Sequence, residues 1–273
     1  MPRRLLPVLV TALAAAALAA APAAAAPTWA PAASASIHPG VQTHTDGAQC
    51  TANFVFHDAT DVYIGQAAHC SGTGAVTDTD GCDSGSLPVG TPVQIDGAGR
   101  PGTMVYNAWL TMQAAGETDP DACAYNDFAL VRIDPADAGR VNPSIPFWGG
   151  PTGIDGDGTQ TGDKVLSYGN SSLRAGVTAL SPKEGTSVGD DGNGWSHQVY
   201  TATPGIPGDS GSAFLNRDGQ ALGVLSTVAI APLAGSNGVG DIGRELAYLA
   251  ANTSFAITLA TGTEPFRGPL LPA

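Results

Sequence analysis

Charge and aromatic side chains are scarce in this sequence. Only 13% of its 273 residues are charged and 6% are aromatic, too few charges to clothe long surface helices. Lys and Arg together number 11 against 24 Asp and Glu, a formal net charge of −13. A surface of that sign repels phosphate backbones and anionic lipid, which argues against nucleic acid or a membrane surface as partner. The four cysteines include no C-x-x-C pair, so zinc-ribbon and thioredoxin-like chemistry have no basis.

What is plentiful is glycine, with 36 residues, and proline, with 21. That balance favours short strands joined by tight turns, and the chain reads as all-β. Residues 1–26 stand apart: Arg3-Arg4, an apolar run from Leu5 to about Ala20, then an Ala-rich exit. This is the layout of a secretory signal peptide cleaved near Ala25 or Ala26. Its removal predicts a secreted, extracellular protein with no membrane association. In an oxidising compartment Cys50, Cys70, Cys82 and Cys123 are expected to form two disulfides, and the sequence permits three pairings. Residues 27–40 read as a linker or short pro-segment.

From Val41 onward, apolar runs of strand length recur at 51–56, 62–67, 92–95, 103–109 and 128–133, separated by Asp/Gly/Ser turns. A Pro/Gly/Asp-rich stretch at 142–163 reads as a connector between halves. A second set of runs follows at 164–168, 176–180, 196–203, 212–215 and 221–229. The regular spacing predicts barrels or a sandwich. Only 243–252 has a helical composition, and the expected organisation is a first half over 41–148, a second over 149–253 and a tail over 254–273.

Three motifs carry chemistry. In Gly208-Asp209-Ser210-Gly211-Ser212, a serine between glycines sits on a bend where backbone N–H groups can converge on a substrate carbonyl. In Val62-Tyr63-Ile64-Gly65-Gln66-Ala67-Ala68-His69-Cys70, an apolar strand runs into small residues and then a histidine anchored by its neighbouring cysteine. The other histidines, His38, His44, His57 and His197, lie in polar stretches or near the mature start and read as structural. In Asn126-Asp127-Phe128-Ala129-Leu130-Val131, an aspartate stands at the mouth of an apolar strand. Alone, each motif has an ordinary turn or cap explanation. Their chain order, His69 then Asp127 then Ser210, is the order of the chymotrypsin arrangement and differs from that of subtilisin and the α/β-hydrolases.

The A-A-H-C, N-D-F-A-L-V and G-D-S-G-S segments resemble the three catalytic motifs of the chymotrypsin superfamily, most closely its bacterial secreted branch, over about residues 49–252. The resemblance implies two antiparallel six-stranded Greek-key barrels with a C-terminal helix and a cleft between them. It implies a serine endopeptidase acting on a polypeptide substrate without a cofactor or metal, and a monomer. His69 would be the general base, Asp127 its orienting residue and Ser210 the nucleophile, with the amides of Gly208 and Ser210 as oxyanion hole. Ser226, Thr227 and Val228 would lie beside bound peptide, with Pro204 in the primary pocket. Cys50 would pair with Cys70, and Cys82 with Cys123.

Two departures qualify the likeness. The Ile-Val-Gly-Gly start of animal zymogens is missing, so Asp209 needs another partner than a new amino terminus, and Arg174 is the candidate. Pro204 stands where trypsins have an aspartate, which removes the basis for Lys/Arg specificity and favours apolar or small side chains; His197 leaves a glutamate-selective pocket open. An esterase with the same triad and a catalytically silent, protease-shaped binding protein are the alternative functions.

Overall fold

The structure, a computed structural model, describes residues 27–75, 78–228 and 235–270. The expected signal segment lies outside the described residues. The first half contributes β1 (Gln42–Thr45), β2 (Ala48–Thr51), β3 (Val55–His57), β4 (Val62–Ala67), β5 (Pro92–Ile95), β6 (Gly102–Asn107) and β7 (Phe128–Arg132), with α1 (Ala108–Ala115) and α2 (Pro120–Tyr125) between β6 and β7. The second half contributes β8 (Lys164–Tyr168), β9 (Pro182–Asp191), β10 (Ser196–Thr201), β11 (Ala213–Asn216), β12 (Ala221–Val228) and β13 (Asn237–Asp241), then α3 (Ile242–Asn252) and β14 (Thr258–Leu259).

Strands β8–β13 close into a six-stranded barrel in the order β10-β13-β12-β11-β8-β9, and the first-half strands, joined by β14, curl as an open half-barrel sheet in the order β14-β3-β4-β7-β6-β5-β1-β2. All pairings between these strands are antiparallel. The all-β architecture of two barrel-like halves and a C-terminal helix therefore stands. The first sheet has eight strands rather than six because β2 and β3 are separate and the tail adds β14 beside β3.

Hydrophobic burial explains the arrangement. Every residue of β4 is buried, which matches its unbroken apolar reading and its place between β3 and β7. Phe54, Phe56, Phe128, Trp148, Leu215 and Val224 belong to one core that spans both halves, while Val165, Val199, Phe214, Leu222, Leu225 and Val239 fill the closed barrel.

Several elements depart from the sequence reading. Residues 176–180 are exposed and end in a 3-10 turn, Thr178–Leu180, instead of forming a strand; β9 lies just beyond them and pairs with both β8 and β10. The run at 103–109 stops at Asn107, whose side chain accepts from Trp109 N at 2.9 Å and caps α1. Asp119 caps α2 in the same way. These two helices lead the chain to Asp127. The disulfides are Cys50–Cys70 and Cys82–Cys123, and no helix among the described residues is long and apolar enough to cross a membrane.

Candidate active site

At the end of β4 the chain enters a 3-10 turn, Ala68–Ser71, that carries His69. The turn is tied to β2 by the Cys50–Cys70 disulfide and to the start of β7 by Ala68 N, which donates to Asp127 O at 2.9 Å. Asp127 then holds His69 through both carboxylate oxygens. Oδ1 accepts from the His69 backbone N at 2.9 Å, and Oδ2 lies 2.6 Å from Nδ1. Ser226 Oγ donates to the same Oδ2 at 2.5 Å.

Ser226 can do this because the register of β12 against β13 slips between Leu225 and Thr227, and such a bulge re-aims a side chain. The Asp127 side chain is 5% exposed and that of His69 24%, so the imidazole keeps a solvent-facing edge. Burial disfavours the imidazolium, but the Asp127 charge and hydrogen bond outweigh it and raise the His69 pKa above its ordinary value.

Ser210 enters from the second half between Gly208 and β11. Its carbonyl accepts from Thr51 N of β2 at 2.8 Å, and Gly211 N donates to Leu225 O of β12 at 2.7 Å. The loop is thereby fastened to both halves. Gly208 has φ of +93°, which a side chain would strain. The Pro207 carbonyl accepts from Ser171 Oγ at 2.6 Å, and the Gly208 carbonyl accepts from Gln49 Nε2 and Thr51 Oγ1, each at 2.8 Å. A trans peptide directs its N–H opposite to its C=O, so the bond from Ser171 turns the Gly208 amide away from that loop. Among the described residues the amides of Gly208 and Ser210 have no hydrogen-bond partner. Ser210 Oγ and His69 Nε2 are not in hydrogen-bond geometry, a contact that commonly tightens only with substrate.

Asp209 is fully buried. Arg174 Nη2 reaches its Oδ2 at 2.5 Å, as anticipated, and Lys183 Nζ, from β9, reaches the same oxygen at 3.0 Å. Lys183 escaped the sequence reading because its strand is not among the apolar runs. It is itself fully buried, and its Nζ also donates to Thr203 O at 3.2 Å and Pro204 O at 3.3 Å. Burial pushes this ammonium's pKa down against the pull of Asp209. Two cations and one carboxylate thus brace the backbone on the approach to Ser210.

Thr227 and Val228 pair with Gly238 and Asn237 of β13, and Asn237 Oδ1 accepts from Gly205 N at 2.8 Å. The strand at 226–228 and the segment at 203–206 are therefore joined across Asn237. His197 is not available to a substrate carboxylate. It is fully buried, with Nδ1 2.7 Å from Asp190 Oδ1 and Nε2 3.1 Å from Asp241 Oδ2, which removes the suggestion that it selects glutamate.

No family model matches the chain, and no curated protein matches it. Solved structures do. Protease A of Thermobifida fusca is 19% identical with a TM-score of 0.54, the match covering 83% of this chain and 99% of that one. A glutamic acid specific serine protease described as using a histidine triad in substrate binding is 16% identical with a TM-score of 0.52, covering 82% of this chain and 100% of that one. The Nocardiopsis protease is 18% identical with a TM-score of 0.50, covering 82% and 98%. These matches span nearly the whole length of those structures, and the chain has the chymotrypsin-like fold of bacterial serine proteases.

Proposed function

We propose that this chain is a secreted serine endopeptidase that hydrolyses peptide bonds through an acyl-enzyme, with Ser210 as nucleophile, His69 as general base and Asp127 as the residue that orients it. The observation that carries the reading is the double grip of Asp127 on the His69 backbone N and Nδ1, which fixes one tautomer and leaves Nε2 as the basic nitrogen. In the reaction, Ser210 Oγ attacks the scissile carbonyl as its proton passes to His69 Nε2. The oxyanion is received by the amides of Gly208 and Ser210. The imidazolium then protonates the leaving amine, and a water deprotonated by the same nitrogen releases the acid and restores Ser210.

The likeness in fold to serine proteases supports a polypeptide substrate. The two disulfides support an oxidising, extracellular location. Primary specificity away from Lys and Arg gains support from Lys183 and Arg174, whose cationic groups bond Pro204 O at 3.3 and 3.0 Å and would repel a second cation. The similar structure that is glutamic acid specific is described as using histidines; here His197 is engaged by two aspartates, so an apolar or small residue remains the preferred occupant.

The test is a peptide library digested by the purified protein beside its Ser210→Ala variant. Cleavage after uncharged residues, at least about 100-fold faster than after Lys or Arg, and lost in the variant, is expected. Hydrolysis of simple esters without any peptide cleavage would favour the esterase reading.

A further inference from the structure

Behind the triad lies a second carboxyl group that the reaction does not use. Glu245, in the first turn of α3, is fully buried. Its Oε1 accepts from the backbone N of Asp127 at 3.1 Å, and its Oε2 has no partner among the described residues. The charged groups acting on it are Asp127, at the α2–β7 junction, and Asp241, the cap of α3. Tyr106 of β6 is the titratable hydroxyl on which it acts in turn. The neighbouring cation, Arg244, turns outward to donate to Asn193 O. The space for the carboxyl exists because position 240 of β13 is glycine, where a Cβ would stand 2.6 Å from Oε1.

A fully buried carboxyl that feels the Asp127 charge and has no cation of its own among the described residues resists ionising while Asp127 is charged. Asp127 is the one with partners suited to an anion, since it accepts from His69 N, His69 Nδ1 and Ser226 Oγ. Glu245 has one amide donor and an orphan oxygen. We propose that Glu245 is held as a neutral acid and serves as a positioning residue, its Oε1 fixing the Asp127 amide so that the Asp127 carboxylate meets His69 in one geometry. Burial, followed by the charge of Asp127, drives the Glu245 pKa well above the usual carboxylate range, in keeping with that assignment. Glutamine reproduces both features, a carbonyl acceptor and no charge; alanine reproduces neither the acceptor nor the volume.

The inference rests on Asp127 being the triad carboxylate, so its readout is chosen not to need turnover. The His69 imidazole is titrated by NMR in the full protein and in Glu245→Gln, and peptide kinetics are recorded for these and for Glu245→Ala. A neutral Glu245 predicts the same His69 midpoint in the parent and in Glu245→Gln, within the error of the titration. A midpoint about one pH unit lower in Glu245→Gln, the effect of removing a nearby negative charge, would overturn the neutral assignment. The positioning role predicts that Glu245→Ala loses about tenfold in kcat at similar KM and that glutamine restores most of it. An alanine variant with the parent's kcat would overturn that role. If the parent cleaves no peptide, the proposed function fails while the imidazole titration still decides the state of Glu245.

Discussion

At the scale of single residues, the candidate site is a set of hydrogen bonds that each fix one degree of freedom. Asp127 fixes the His69 ring, and Ser171 fixes the Pro207–Gly208 peptide through its 2.6 Å bond to Pro207 O. Ser171→Ala frees that peptide to rotate, and is expected to lower kcat/KM about tenfold or more, mainly in kcat, because an oxyanion donor acts only in the transition state. On the proposed function the acid limb of kcat/KM reports His69. Its pKa is raised by Asp127, so activity is expected to fall as pH drops through a midpoint above the ordinary value of about 6.5. Asp127→Asn should move that midpoint down and cut kcat by about 10⁴-fold; a limb unmoved by that change would show that His69 does not set it. The pairing of Asp127 with His69 and of Arg174 with Asp209 was legible in the sequence, because each residue sits in a short motif or was needed by one. Ser171, Lys183 and Glu245 were not, and Ser226 was expected beside bound peptide and not as a donor to Asp127. Each acts across a separation of tens of residues, and no local pattern distinguishes a buried polar residue with a distant partner from an exposed one.

Legibility followed composition at the scale of elements. The strands β4, β5 and β8 coincide with their apolar runs, because hydrophobic residues there face packed neighbours. In contrast, β9 (P-K-E-G-T-S-V-G-D-D) and β13 (N-G-V-G-D) have the composition of turns. Their glycines reflect tight packing: a Cβ on Gly185 of β9 would collide with Tyr200 O of β10. Sequence composition reads such glycine as flexibility, whereas here it permits close approach. His197 binds three of these elements together, linking β10 to Asp190 of β9 and to Asp241 at the head of α3. Burial opposes its protonation, but the bonds to Asp241 and Asp190 prevail and raise its pKa; Thr159 also faces its Nδ1. A raised folded-state value stabilises the protein fully below the unfolded value of about 6.5 and less as pH rises through the folded value. The melting temperature is therefore expected to fall as pH rises above about 6.5, and His197→Gln to flatten that fall. A parent and variant with parallel profiles would remove His197 as its source.

The whole molecule is held together by more than the shared cleft. The tail, whose role no motif indicated, returns across both halves: β14 adds to β3, Gly150 N donates to Glu264 O at 3.2 Å, Arg267 N donates to Trp148 O at 2.9 Å, and Leu270 N donates to Glu184 Oε2 at 2.9 Å. Phe255, Ile257, Leu259 and Phe266 pack on the common core. Truncation after Asn252 should cost about 3 kcal/mol or more and lower the melting temperature by about 10 °C; an unchanged melting curve would show that these contacts are dispensable. Such a tail forms only the two-residue strand β14, too short a pattern to announce itself in sequence, and its stability is borrowed from surfaces made elsewhere. The half-barrel, the closed barrel and the tail together serve one purpose in this account, which is to bring a serine from one half against a histidine and an aspartate from the other. That claim is tested most directly by treating the purified, disulfide-intact protein with a fluorophosphonate, and mapping the adduct by mass spectrometry beside His69→Ala. The account predicts a single adduct on Ser210 that disappears without His69. Folded protein that takes no label, or labels equally in the variant, would contradict it.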